Sequence, residues 1–112
     1  MTSEVLTALE NMLPKITHLQ FLVLGSLASH DGKIDGCDLR EKIADHGVNC
    51  NGPGFYQLMS RLERRKFVHG RYKDQVIDGQ RMRQRVYRLM ASGVRAVHET
   101  TKFYEQIIVR KF

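Results

Sequence analysis

With 112 residues, 42% of them hydrophobic, the chain has the length of one domain with a single modest core. It holds 18 Lys/Arg against 12 Asp/Glu, a net charge of +6, and its longest apolar run, Phe21 to Leu24, is far short of the ~20 residues of a membrane span. The charge is localised: from Arg61 to Arg88 ten Lys/Arg stand against three acids (Glu63, Asp74, Asp78), whereas the remaining residues hold eight basic and nine acidic side chains.

In chain order, Val5, Leu6, Leu9, Met12 and Leu13 follow helical spacing up to Pro14. Glu4 and Glu10 with no basic residue in that stretch do not describe a signal peptide, so a cytoplasmic protein is expected. Thr17 is a suitable N-cap for a helix carrying Leu19, Phe21, Leu22, Val23, Leu24, Leu27 and Ala28. A helix with almost no polar face belongs at the centre of a core. Asp31-Gly32 ends it, and Ile34 can form a short strand. Asp35 or Gly36 opens a second helix with Leu39, Ile43 and Ala44 inward, closed by Gly47. Cys37 and Cys50 fit neither a disulfide framework nor a zinc site. Cys37 reads as a small buried hydrophobe or, at a helix start, as a redox-sensitive thiol.

Asn51 to Gly54 is a turn cluster, with Pro53 suited to a first helical turn. The helix from Pro53 to about Lys66 gathers Phe55, Leu58, Met59 and Leu62 on one face. Gln57, Ser60, Arg61 and Arg64 share the opposite face, with Tyr56 on its flank. Such a face is usually only solvated, but amides and guanidiniums are also the groups that read base edges and grip phosphates. Val68 to Val76 and Arg81 to Met90 read as strands around Asp78-Gly79, the strongest short hairpin signal. A two-residue loop sets Val68 opposite Leu89, Gly70 opposite Tyr87, Tyr72 opposite Arg85 and Asp74 opposite Arg83. That ribbon has an apolar root and a cationic end, with Lys73 and Arg81 also near its tip.

The final segment, Ala91 to Phe112, has helical spacing of Val94, Val97, Phe103, Tyr104, Ile107 and Ile108. At roughly 28 Å over about nineteen residues, it is longer than so small a body covers. Pairing with the N-terminal helix and with a second subunit is the simplest way to keep it dry.

These elements resemble the PadR family of bacterial winged-helix transcriptional regulators, in its short class with one C-terminal helix. The resemblance rests on Leu19-Gln20-Phe21-Leu22-Val23-Leu24, Gly36, the run Pro53-Gly54-Phe55-Tyr56-Gln57-Leu58-Met59-Ser60-Arg61-Leu62-Glu63, and Arg83-Gln84-Arg85-Val86-Tyr87-Arg88-Leu89 followed by Ser92-Gly93. The chain departs from the family pattern at Asp35, Cys37 and Met90, and at Lys66, where the family usually has Gly. The fold implied is mainly α with a small β-hairpin: a winged helix-turn-helix core over 15–90, flanked by dimerisation helices over 1–14 and 91–112, in one domain. The resemblance implies a homodimer that binds a pseudo-palindromic DNA operator and commonly represses. Some members release DNA on binding a planar or phenolic effector, so a small aromatic effector is implied too, although the last helix holds no Trp to stack one.

On this reading Gln57, Ser60 and Arg61 enter the major groove, and Tyr56, Arg64 and Arg65 hold flanking phosphates. Lys73, Arg81, Arg83 and Arg85 lie over backbone or minor groove. Leu6, Leu9, Met12, Val97, Tyr104, Ile107 and Ile108 form the dimer contact. A winged-helix module for protein interaction or RNA binding is the alternative. Catalysis is not expected: His18, His30, His46, His69 and His98 are scattered without metal or nucleophile–base spacing, and no cofactor or metal is implied.

Overall fold

The structure, a computed structural model, describes residues 3–4 and 15–111. The first expected helix, with Leu6, Leu9 and Met12, lies outside the described residues. Those described form helix α1 (His18–Ala28), strand β1 (Lys33–Asp35), helices α2 (Gly36–Ala44) and α3 (Gly52–Arg64), strands β2 (Val68–Ile77) and β3 (Gln80–Leu89), and helix α4 (Ala91–Lys111). The order is the one that the apolar periodicity and turn residues predict.

The starts of α1, α2 and α3 each have a local cause. Thr17 Oγ1 accepts from the Gln20 N–H at 3.1 Å while the Gln20 side chain accepts from the Thr17 N–H at 2.9 Å, a reciprocal capping box. Asp35 caps α2 by accepting from the Asp38 N–H at 2.8 Å, and Asn51 caps α3 by accepting from the Gly54 N–H at 2.7 Å. The end of α3 is less usual. The Phe67 N–H returns to the Leu62 carbonyl at 3.0 Å and the Lys66 N–H to the Glu63 carbonyl at 2.9 Å. That paired closure needs a left-handed residue, and Lys66 supplies it at φ 61°.

The core forms where the apolar faces meet. Val23, Leu24 and Leu27 of α1 are fully buried, as are Leu39 and Ile43 of α2 and Phe55, Met59 and Leu62 of α3. Burial of each such side chain contributes about 1.5–3 kcal/mol. The sheet closes one side, with Ile34, Val68 and Tyr87 turned into the same core. Its order is β1-β3-β2, all antiparallel.

The hairpin register is the one that the two-residue loop dictates: Val68 pairs with Leu89, Gly70 with Tyr87, Tyr72 with Arg85 and Asp74 with Arg83. Ile77 and Gln80 form the closing pair around Asp78 at φ 52° and Gly79 at φ 80°, both in the left-handed region that a type I′ turn requires.

The C-terminal helix is partly used by its own chain. Val97 packs against the core. The Tyr104 ring stacks on His18 of α1 at 5.9 Å between centroids and lies 6.5 Å from Phe21. Both were expected at a dimer contact, but the length of α1 gives them a surface within the chain. Val94, Ile107 and Ile108 remain exposed.

Candidate nucleic-acid interface

Docking the apolar face of α3 on α1, α2 and the sheet leaves its other face free. Tyr56, Gln57, Ser60, Arg61 and Arg64 are all exposed. With Pro53 they line one open hollow of about 550 Å³. The helical spacing thus brings five of the expected contact residues together. Arg65 stands apart: as the residue ending the helix, its Nη2 donates to the Lys15 carbonyl at 2.9 Å and its guanidinium lies 4.5 Å from the Phe67 ring centre. It ties the end of α3 back to the body.

A second hollow of about 520 Å³ runs between α3, the start of α2 and the hairpin. Tyr56 and Ser60 line it too, so helix and hairpin share one continuous surface; Cys37, Tyr72, Arg83 and Arg85 complete its walls. Cys37 is exposed here and is not a small buried hydrophobe. Arg83 is exposed on the hairpin, its guanidinium 4.3 Å from the Tyr72 ring centre, an arrangement that holds the charge in place without neutralising it.

Arg85 differs from the expected free cation. Its Nη2 donates to Glu63 Oε1 of α3 at 2.7 Å, and both side chains are about three-quarters covered. Burial opposes the Arg85 charge, but the hydrogen bond and the charge of Glu63 outweigh it and raise its pKa. The pair forms over Gly70, where a Cβ would overlap the Glu63 carboxylate and crowd Arg85. The buried Tyr87 ring lies edge-on to Phe55, and its hydroxyl has its pKa pushed up to about 12, chiefly by burial.

Lys73 is also displaced from the grouping expected of it. It pairs with Gln84, so alternation puts it on the opposite side of the ribbon from Arg81, Arg83 and Arg85. That reverse side further carries His69, Arg71 and Arg88, which were not among the expected site residues. The period-two alternation that puts Arg83 and Arg85 on one face puts these three on the other, so the signal for them lies in the sequence.

Among the described residues no group of His, Cys, Asp and Glu could hold a metal ion, and no helix is long and apolar enough to cross a membrane. No protein-family model and no curated protein sequence matches the chain. Solved structures do resemble it. A PadR-like transcription factor from Bacteroides fragilis superposes with a TM-score of 0.64 at 15% identity, over 82% of this chain and 84% of that one. A PadR-family transcriptional regulator from Eggerthella lenta gives 0.61 at 20% identity, over 94% and 87%. Bacillus subtilis PadR, solved in complex with operator DNA, gives 0.60 at 21% identity over 74% of this chain, which spans 46% of that protein. The chain has the winged-helix fold of these regulators, with β2 and β3 as its wing.

Proposed function

We propose that the protein is a PadR-type transcriptional regulator that binds double-stranded DNA through α3 and the wing, without catalytic activity. The observation that carries this reading is the continuity of the two hollows. Tyr56 and Ser60 line both, so the polar, cationic face of α3 runs without a break to Arg83 on the wing. A basic surface of this shape draws in a polyanion, and the Bacillus subtilis PadR of the same fold was solved in complex with operator DNA.

Gln57, Ser60 and Arg61 read base edges in the major groove, Arg bidentate to guanine and Gln to adenine being the usual pairings. Tyr56 and Arg64 hold the phosphates beside the groove, while Arg81 and Arg83 lie over the backbone or minor groove. Lys73 and Arg65 contribute at the margins, and Arg85 acts chiefly as the counter-charge of Glu63. The whole chain, 1–112, works as one domain. Residues 15–90 form the DNA-binding body and 91–112 pair with a second subunit, doubling the surface at a spacing of about 34–36 Å on a pseudo-palindromic operator. Repression by occlusion, and a small aromatic effector that alters the pairing, complete this reading.

The experiment is selection of bound fragments from random duplex DNA, followed by titration of single variants over a range of salt. Arg61→Ala is expected to relax preference at one position by about 1–3 kcal/mol. Arg83→Ala is expected to weaken all sequences alike and reduce the salt slope by about 0.9. No enrichment, or equal effects of the two variants on every sequence, rejects the assignment.

A further inference from the structure

The three-stranded sheet has a second face, turned away from the core. Its register sets Lys33, Arg88 and His69 in one row across β1, β3 and β2. In the next row on that face Arg71 lies opposite Val86. Neighbouring strands are ~4.8 Å apart, and like charges directly opposite one another destabilise a sheet. Within the described residues no acid is paired with any of these cations. The side chains of Lys33, His69, Arg71 and Arg88 form no hydrogen bond or ion pair there. Asp35 is the acid of that face, and its carboxylate is engaged on the Asp38 N–H at 2.8 Å.

These four basic side chains and Val86 enclose a shallow hollow of about 180 Å³. Val86 is only 6% exposed although it lies outside the core cluster. The aliphatic stems of its neighbours cover it, and their charged heads rim the hollow. The space is below the ~300–1,000 Å³ of pockets for organic ligands. Its charge and size suit phosphoryl groups.

We propose that this face is a second phosphate-binding site whose occupant is the sugar-phosphate backbone of duplex DNA, at a stretch separate from that held by α3. The inference rests on the DNA-binding reading above. Two features favour a backbone over a free oxyanion. All four basic side chains are exposed in an open arrangement across three strands, which matches successive phosphates along a chain. In addition, β3 is paired on both sides from Val86 to Arg88, so its backbone N–H groups are not free to form the enclosed cradle that single anions favour. The sheet itself separates this face from the α3 surface, so the two sites hold different phosphates.

The test is fluorescence anisotropy of the full chain with mixed-sequence duplexes of about one and about three helical turns, ~10 and ~30 base pairs. Arg71→Gln with Arg88→Gln removes two charges and keeps much of the cover over Val86. On the long duplex the double variant is expected to lose about tenfold in affinity, with a salt slope smaller by about 2. On the short duplex it is expected to stay within about twofold of wild type, whereas Arg61→Ala with Arg64→Ala loses affinity on both. Equal losses on both lengths, or none on either, overturn the second site while leaving the α3 surface intact. Wild-type protein that binds neither duplex overturns the functional reading itself. NMR titration with inorganic phosphate supplies the remaining arm. Saturable binding at His69 and Arg88, abolished in the double variant while long-duplex affinity is unchanged, overturns the DNA occupant in favour of a free anion.

Discussion

Arg85 of the wing and Glu63 of α3 form the direct ionic link between the two elements, at 2.7 Å. The link holds the wing root at a fixed angle to α3 and withdraws one positive charge from the proposed DNA surface. Glu63→Gln keeps a hydrogen-bond acceptor but frees the guanidinium charge. Affinity for mixed-sequence duplex is expected to rise several-fold, with a salt slope steeper by about 0.9. Stability should fall by about 1 kcal/mol, the scale of a partly covered ion pair. Anisotropy at several salt concentrations and a urea titration measure both. A fall in affinity would mean that Glu63 aims Arg85 at DNA and does not hold it back.

Lys66 closes α3 in the left-handed region at φ 61°, a conformation that costs a residue with a Cβ roughly 1–2 kcal/mol. Glycine adopts it freely, at the cost of a more disordered unfolded chain. Lys66→Gly is therefore expected to stabilise the fold by about 0.5–1 kcal/mol net, raising Tm by a few degrees. The Ser92 hydroxyl, which donates to the Lys66 carbonyl, is unaffected by the change. A lower Tm in thermal unfolding would show that the Lys66 side chain supports the junction with α4.

How much of this was legible in the sequence depends on how local each cause is. Thr17, Asp35 and the Asp78-Gly79 turn act within three or four residues of themselves, so their caps and the hairpin register follow from spacing alone, whereas Asn51 is visible as part of a turn cluster and not as the cap of α3. The α3 face follows from helical period for the same reason. The Arg85–Glu63 pair spans 22 residues and needs the docking angle of the wing on α3, which no period encodes. Likewise the anchoring of Arg65 on Lys15, fifty residues away, depends on how α3 ends over the start of α1. The row of Lys33, Arg88 and His69 needs the third strand, and its three-residue length left only Ile34 as a signal. Pairing Lys33 with Arg88 is a tertiary fact.

Tyr87 makes a prediction about alkaline pH. Its folded pKa is raised by burial to about 12 from an ordinary value of 10, so the unfolded chain ionises first. The contribution of the neutral phenol is fully present below pH 10 and is lost as pH rises through 12. Wild type is expected to lose about 2–3 kcal/mol from this residue across that interval. Tyr87→Phe should show a correspondingly shallower decline in the urea midpoint measured from pH 9 to 11. Parallel declines in the two proteins would mean that the hydroxyl reaches solvent.

The last prediction concerns the C-terminal turns of α4. Ala96 and Val97 pack on the core and Tyr104 on α1, so the first turns of its apolar face are satisfied within the chain, and Ile107 and Ile108 continue that face one turn beyond Tyr104. Val94, Ile107 and Ile108 are 52%, 46% and 57% exposed. Leaving three large aliphatic side chains half in water along one helix forgoes roughly half of the ~1.5–3 kcal/mol that full burial of each would give, and a second copy of the same helix is the surface that a twofold assembly offers them. Ile107→Asp with Ile108→Asp would bury two charges in such a contact. The double variant is expected to sediment as a monomer where wild type sediments as a dimer, with unchanged helix content by circular dichroism because neither residue touches the core. Affinity for a single half-site should persist in the variant, while affinity for a full palindrome should fall to the half-site value. Wild-type protein already monomeric at micromolar concentration would remove the dimer and, with it, the expectation of a palindromic operator.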